Sequence, residues 1–265
     1  VIDNAAVDGV APAGSVWSSV QDMSKWMQML LDGGTVNGRV LLKPETIAEL
    51  FKPQSIVTPQ AFYPTARLTK PHWMTYGLGW FQQDYRGRAV DFHTGSIDGM
   101  VAIHGLIRDE RLGVYVLANR DHTELRHALM LNVFDRFTGV SERNWSAELL
   151  KLYGDMEHEA DQRRKAEAAK RVAGTSPSLV LDRYAGRYTD PLFGDVIVGL
   201  EGGTLRLRYG TAYTGPLEHW HYDTFRATWE APWRGTALVT FGLDANGRPA
   251  TLRVLGGTFR RTTEP

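Results

Sequence analysis

The chain changes texture once, at Gly174-Thr175-Ser176-Pro177-Ser178, and that change constrains the fold more than any single motif. Before it, apolar residues recur at both helical and strand spacing. After it, short alternating runs such as Asp195 to Leu200, Leu205 to Tyr209, Thr236 to Leu243 and Ala250 to Val254 are separated by turns like Glu201-Gly202-Gly203 and Asp244-Ala245-Asn246-Gly247. A Gly/Ser/Pro cluster between two such patterns marks a domain boundary. Short strands with Gly- and Asn-containing turns argue a small antiparallel barrel or sandwich. The 265 residues leave room for two domains.

The first part mixes both periodicities. Ser19-Val20-Gln21-Asp22 fits a capping box, and Met23, Trp26, Met27, Leu30 and Leu31 follow at helical spacing until Gly33-Gly34. Such a stripe is the buried face of an amphipathic helix. Pro44 opens a second short helix through Leu50 and Phe51. Prolines at 53, 59, 64 and 71 make the next stretch a loop of the length that is usually functional or mobile. Strands are expected over Tyr76 to Tyr85, Ala89 to Thr94, Met100 to Arg108 and Leu112 to Ala118. Leu125, Leu129, Val133 and Phe137 mark a helix lying across the sheet. Trp145 to Val172 reads as a long charged helix, with Glu167 and Arg171 as an i,i+4 pair.

Within the second expected strand, Ala89-Val90-Asp91-Phe92-His93-Thr94-Gly95-Ser96-Ile97-Asp98-Gly99 alternates and then breaks into glycines. Val90 and Phe92 share one face and His93 takes the other. A polar triplet there offers backbone N–H groups and a ring nitrogen at a strand rim, which suits polarising a carbonyl oxygen.

Around the triplet stand, in order, Pro12-Ala13-Gly14-Ser15-Val16-Trp17-Ser18-Ser19, Leu41-Leu42-Lys43-Pro44-Glu45-Thr46, Tyr76-Gly77-Leu78-Gly79-Trp80 and Gly113-Val114-Tyr115-Val116-Leu117-Ala118-Asn119. This series resembles the carboxy-terminal part of the penicillin-recognising serine hydrolases: class C β-lactamases, DD-peptidases, D-aminopeptidases and related esterases. The words Tyr184-Ala185-Gly186-Arg187-Tyr188 and His219-Trp220-His221-Tyr222-Asp223-Thr224-Phe225 resemble the lipocalin-like domain often appended to them.

The resemblance implies an α+β fold, an antiparallel sheet with flanking helices lacking its amino-terminal part, then a small antiparallel barrel. The expected division is residues 1–143 for the hydrolase portion, 144–178 for a charged connector and 179–265 for the lipocalin-like barrel. It also implies roles at one catalytic strand. Ser96 supplies an oxyanion-hole N–H, His93 orients the substrate or helps proton traffic, Thr94 lines the cleft, and Gly95 lets substrate lie close. The loop from 53 to 71 would border that cleft.

No serine has a lysine three residues on, and no tyrosine or serine has an asparagine two residues on. The family's nucleophile motif and second motif are therefore missing. The expectation is a fragment of an amide or ester hydrolase that works through an acyl-enzyme, inactive by itself, with β-lactams, D-amino-acid peptides and esters as candidate substrates. The alternative is a non-catalytic ligand-binding module whose barrel holds a small ligand. An unfinished sheet edge and a partly uncovered helix face would invite the missing amino-terminal portion as a separate chain, or self-association.

Composition narrows the remaining classes. Formal net charge is zero, which gives no electrostatic case for nucleic acid or an anionic membrane as the main partner. No stretch is long and apolar enough to span a membrane. Val1-Ile2-Asp3-Asn4-Ala5 has neither a basic nor an apolar leader segment; the resemblance implies an extracytoplasmic, periplasmic parent. With no cysteine, disulfides and thiol catalysis are excluded. His219 and His221 have a spacing that could hold zinc, but no third ligand is evident, so neither a metal nor a cofactor is expected. His122 and His127 are off the spacing of a helical pair, Gly99 serves a turn, and Trp220, Trp229 and Trp233 either line a pocket or fill the barrel.

Overall fold

The computed structural model describes residues 7–120, 123–139 and 143–262. They fall into two compact units, Val1–Ala160 and Asp161–Pro265.

The first unit begins with α1 (Ala11–Gly14) and α2 (Val20–Leu31). Ser19 Oγ accepts the Asp22 N–H at 3.2 Å, satisfying one free donor of the first turn of α2. Met27, Met29 and Leu30 form its buried face. Gly34, at φ +91°, ends the turn beyond; a Cβ there would sit 2.2 Å from Leu42 O, so no other residue fits. A hairpin, β1 (Thr35–Val36) and β2 (Arg39–Val40), follows, then α3 (Pro44–Leu50).

A six-stranded antiparallel sheet comes next, its strands adjacent in chain order: β3 (Ser55–Ile56), β4 (Met74–Tyr76), β5 (Phe81–Tyr85), β6 (Arg88–Ile97), β7 (Met100–Ile107) and β8 (Leu112–Ala118). Among the described residues, β8 pairs with β7 alone. Two helices follow, α5 (Leu125–Phe137) and α6 (Trp145–Ala169). Val90, Phe92 and Ile103 meet Met130, Leu131 and Phe134 of α5 on one face of the sheet. Leu106 and Trp80 meet Met27, Leu30 and Phe51 on the other. At Gly105 a Cβ would lie 2.5 Å from Met130 Sδ, so the missing side chain is what lets α5 settle on β7.

Several sequence expectations change here. The strand expected over 76–85 is two strands, folded back at Gly77–Trp80, where Gly79 takes φ +85° and Gly77 N donates to Trp80 O. β6 runs on to Ile97 because it pairs with β7 through the Asp98-Gly99 turn. The proline-rich stretch carries β3 and α4 (Ala66–Thr69), and buried Phe62 anchors it edge-on against Phe81 and Phe92. On α5, Leu125, Leu129 and Phe137 are exposed, while Arg126, His127, Met130, Leu131 and Phe134 are buried. Hydropathy misplaced that face because two of its members are charged or titratable residues with partners inside the protein. Glu167 pairs with Lys170 at i,i+3, and α6 ends before Arg171, which donates to Trp220 O at 2.8 Å.

The second unit is a closed eight-stranded antiparallel barrel. Its strands are β9 (Gly186–Asp190), β10 (Gly194–Glu201), β11 (Thr204–Tyr209), β12 (Tyr213–His221), β13 (Thr224–Thr228), β14 (Thr236–Leu243), β15 (Pro249–Val254) and β16 (Gly257–Arg261). Pairing of β16 with β9 closes the ladder. Inward residues, among them Tyr188, Val198, Leu207, Phe225, Trp229, Phe241 and Phe259, fill the interior as one packed cluster. Ser178 N and Oγ both donate to the Asp223 carboxylate, at 2.9 and 2.8 Å, and Tyr184 OH bonds the same group.

Candidate active site

β6 is paired unequally along its two edges. β7 accompanies it from Asp91 to Ile97, whereas β5 stops at Phe92. From His93 onward one edge of β6 therefore has no neighbouring strand among the described residues. Tyr63 OH donates to Thr94 O at 3.2 Å, which shows that Thr94 points its backbone groups away from β7. Alternation in an antiparallel strand then places the Ser96 N–H on the same open edge, and Gly95 and Ile97 on the β7 side. Gly95 and Ser96 are exposed and Thr94 is buried, its Oγ1 donating to Ala102 O at 2.7 Å. All four expected site residues lie on this one strand.

His93 projects to the other face. Its Nε2 lies 3.1 Å from Tyr76 OH, and its ring packs on Phe81 and, across β7, on His104. Behind His104 stands Tyr115, stacked at 5.4 Å, with Trp26 and Trp80 edge-on. Burial pushes the His93 pKa below its ordinary value. His104 is pushed down to about 4, by burial and then by the charge His93 would carry. Both rings are thus neutral near pH 7, and His93 can either give or take a proton at the Tyr76 hydroxyl.

Beneath Thr94 and Ser96 lies a charged cluster that the sequence did not announce. Arg126, at the start of α5, donates through Nη1 to Ser96 Oγ at 2.8 Å and to Gly95 O at 3.3 Å, and through Nη2 to Glu124 at 3.4 Å. His127 Nδ1 is 2.8 Å from the other Glu124 oxygen, an ion-pair distance without hydrogen-bond alignment. Tyr153 of α6 also bonds Glu124. Burial opposes ionisation of Glu124, but His127, Arg126 and Tyr153 outweigh it and hold the carboxyl below its ordinary range. Burial pushes His127 down, against the pull of Glu124. Burial likewise raises Tyr63. The sequence signal for this cluster is an Arg-His pair, Arg126-His127, set inside an apolar helix.

The other singled-out residues lie apart from this strand. His219 Nε2 faces Tyr222 O at 2.9 Å and His221 Nδ1 accepts from Val172 N at 3.2 Å. Among the described residues no three His, Asp or Glu side chains converge as metal ligands. Trp229 fills the barrel, Trp233 is exposed, and Trp220 lies under Arg171 and Arg226. His122 lies outside the described residues. No helix among the described residues is long and apolar enough to cross a membrane.

The sequence matches the family Beta-lactamase over residues 1–134 and a Domain of unknown function (DUF3471) over residues 170–262. It is 24% identical to the "Unguisins hydrolase ungD" of Aspergillus violaceofuscus (strain CBS 115571), covering 92% of this chain and 46% of that protein. A second relative, "Unguisins hydrolase ungD'" of Aspergillus campestris (strain IBT 28561), is 24% identical over 71% of this chain and 34% of its own length. The chain thus spans half or less of the curated relatives it matches. Among solved structures, the octameric penicillin-binding protein homologue from Pyrococcus abyssi is 19% identical with a TM-score of 0.40, covering 92% of this chain and 46% of that one. The C-terminal domain of penicillin binding protein Rv0907 is 30% identical over 35% of this chain and 94% of that one, with a TM-score of 0.30.

Proposed function

Because the chain belongs to the Beta-lactamase family, matched over residues 1–134, we propose that its first unit is the His-Thr-Gly wall of a serine hydrolase whose nucleophile lies outside this chain. The substrate is an amide or ester. A serine hydroxyl, deprotonated by a lysine, attacks the carbonyl; the C–N or C–O bond breaks, an acyl-serine ester forms, and water releases the acid. The names of the Aspergillus relatives, both hydrolases, agree with this reading.

The observation that carries it is the open edge of β6. The Ser96 N–H points into space that no strand among the described residues occupies, where it can donate to a carbonyl oxygen gaining negative charge. One such donor is worth about 3–4 kcal/mol in barrier height. Gly95 supports the same reading: an added Cβ would meet nothing within 4 Å, and its φ is not positive, so the chain's own packing does not require glycine there. A substrate backbone lying along the strand does. His93, neutral and fixed by Tyr76, orients the polar group of the substrate or passes a proton. Thr94 and Arg126 hold the strand from behind.

The barrel interior holds one packed side-chain cluster, and a partly open cavity of about 330 Å³ is lined by Leu181, Leu217, Glu218, His219 and Phe225. The test is a denaturing intact-mass spectrum of the purified chain after exposure to a fluorophosphonate or a fluorescent penicillin. The expected result is a second, co-purifying species that carries the label. Label on the 29.7 kDa species itself overturns the proposal, because the nucleophile would then lie within this chain; a single unlabelled species removes only a separate partner chain.

A further inference from the structure

The two ends of the barrel differ in kind. One end is built from the β9–β10, β11–β12, β13–β14 and β15–β16 connections, and three of the four carry apolar tips: Leu192 is 82% exposed, Phe193 50%, Trp233 51% and Leu255 47%. Half-buried Tyr209 and Tyr213 stand between them. The opposite end carries Glu201-Gly202-Gly203, Asp223 and Asp244-Ala245-Asn246-Gly247. Its exposed aromatic, Tyr222, is tied down through its own backbone to Thr175 and His219.

The apolar tips are held outward rather than left loose. Asp190 Oδ1 accepts the N–H groups of Leu192 and Phe193 at 2.8 and 3.0 Å, and Tyr209 OH donates to Phe193 O at 3.1 Å. Leu255 occupies a left-handed position, φ +49°, which glycine or asparagine fills without strain. A leucine there accepts backbone strain to present its side chain to solvent.

Charge follows the same division. Near this end Asp190 is engaged by backbone amides, Asp195 by Arg187 and Glu230 by Arg206. Arg208 and Arg253, exposed and one position below the rim on β11 and β15, have no acidic partner among the described residues. β11 and β15 stand on opposite walls of the eight-stranded ring. The chain has no lysine after Lys170, so apart from His219 and His221 the basic side chains of the barrel are arginines, the residue whose fork best matches a phosphate. A zero net charge for the whole chain conceals this local arrangement.

A ring of aromatic and aliphatic tips with cations just behind it has the chemistry of a membrane interface, where Trp and Tyr settle at headgroup level and arginines meet anionic lipid. The tips protrude from three separate hairpins instead of forming one flat patch, which suits a fluid surface. We propose that this end of the barrel docks on an anionic lipid surface, with Leu192, Phe193, Trp233 and Leu255 entering the interface and Arg208 and Arg253 meeting headgroup phosphates.

The test is co-sedimentation of the full chain with vesicles of phosphatidylcholine alone or mixed with phosphatidylglycerol, read together with tryptophan emission. The chain is expected to bind the mixed vesicles with a blue-shifted emission. L192D/F193D should weaken that binding by at least about tenfold. R208Q/R253Q should weaken it by about fivefold per arginine and leave binding to phosphatidylcholine alone unchanged. Melting curves should match the parent for both; if the aspartate variant fails to fold, the arginine variant decides. No binding to mixed vesicles overturns the proposal, as does equal binding by the arginine variant. So does a dimer without vesicles that L192D/F193D dissociates, because a second copy is then the occupant.

Discussion

β6 and β9 are both flanked by antiparallel neighbours, yet they end differently. β9 pairs with β10 on one side and β16 on the other, and the ring is complete. β6 keeps β7 along its length but loses β5 after Phe92. Where the ladder closes, backbone donors are consumed and the enclosed side chains are almost all apolar. Where it stops short, a donor is left over, and the charged Arg126 and Glu124, with His127 beside them, are packed behind it. The closed unit is built for stability. In the open one, part of the packing serves to hold an unfinished edge in place.

Trp229→Ala should break the comparison from the barrel side. Trp229 is buried in the barrel cluster, and its truncation is expected to cost about 3–5 kcal/mol, seen as early melting of the second unit while a probe in the first unit is unmoved. Ser96→Pro attacks the other side. It deletes the open-edge N–H without removing a ladder bond. Acylation by the labelled assembly should fall about 10²–10³-fold, with some loss of melting temperature because Ser96 Oγ, the acceptor of buried Arg126, goes too. Ser96→Ala loses that acceptor but keeps the N–H, and equal labelling by the two variants would remove the Ser96 N–H from the oxyanion hole.

Acid should separate the units more gently. The folded pKa of His104, about 4, lies below its ordinary 6.5, so between those values the unfolded chain binds a proton that the folded one refuses. Stability of the first unit therefore falls as pH drops from about 6.5 to about 4, by up to about 3 kcal/mol. His104→Phe should flatten that slope in pH-dependent denaturation, and the barrel, whose core cluster holds no histidine, should not follow it. Smallest is Ser19→Ala, which removes the cap of α2 at about 1 kcal/mol, measured as a shift in the denaturant midpoint of the first unit.

Patterns close in sequence were readable. The alternation through Val90 and Phe92, the capping of α2 at Ser19 and the glycine turns of the barrel each express a local rule, and each corresponds to an element in place. The pieces that complete the candidate site do not. Tyr63 reaches Thr94 across a separation of 31 residues, and Arg126 reaches Ser96 across 30. Neither contact leaves a periodic trace, and burial of a charge contradicts the hydropathy that periodic reading depends on. The face of α5 was misread for that reason: Leu125 and Leu129 carry the stronger apolar signal, but Arg126 and His127 have their partners indoors. The proline-rich stretch is largely irregular, as its prolines suggest, but what holds it, Phe62 and Tyr63 in tertiary contact, leaves no local trace.

The unfinished edge of β6 also sets a clock on its own amides. In deuterated water, Gly95 and Ile97, bonded toward β7, should exchange only when that pairing opens, while the Ser96 amide, facing outward, should exchange within the dead time. The result is a period-two alternation of slow and fast protons along a single strand. Filling the edge with a substrate analogue should silence the fast one first, so isotope exchange at one amide reports occupancy without any turnover.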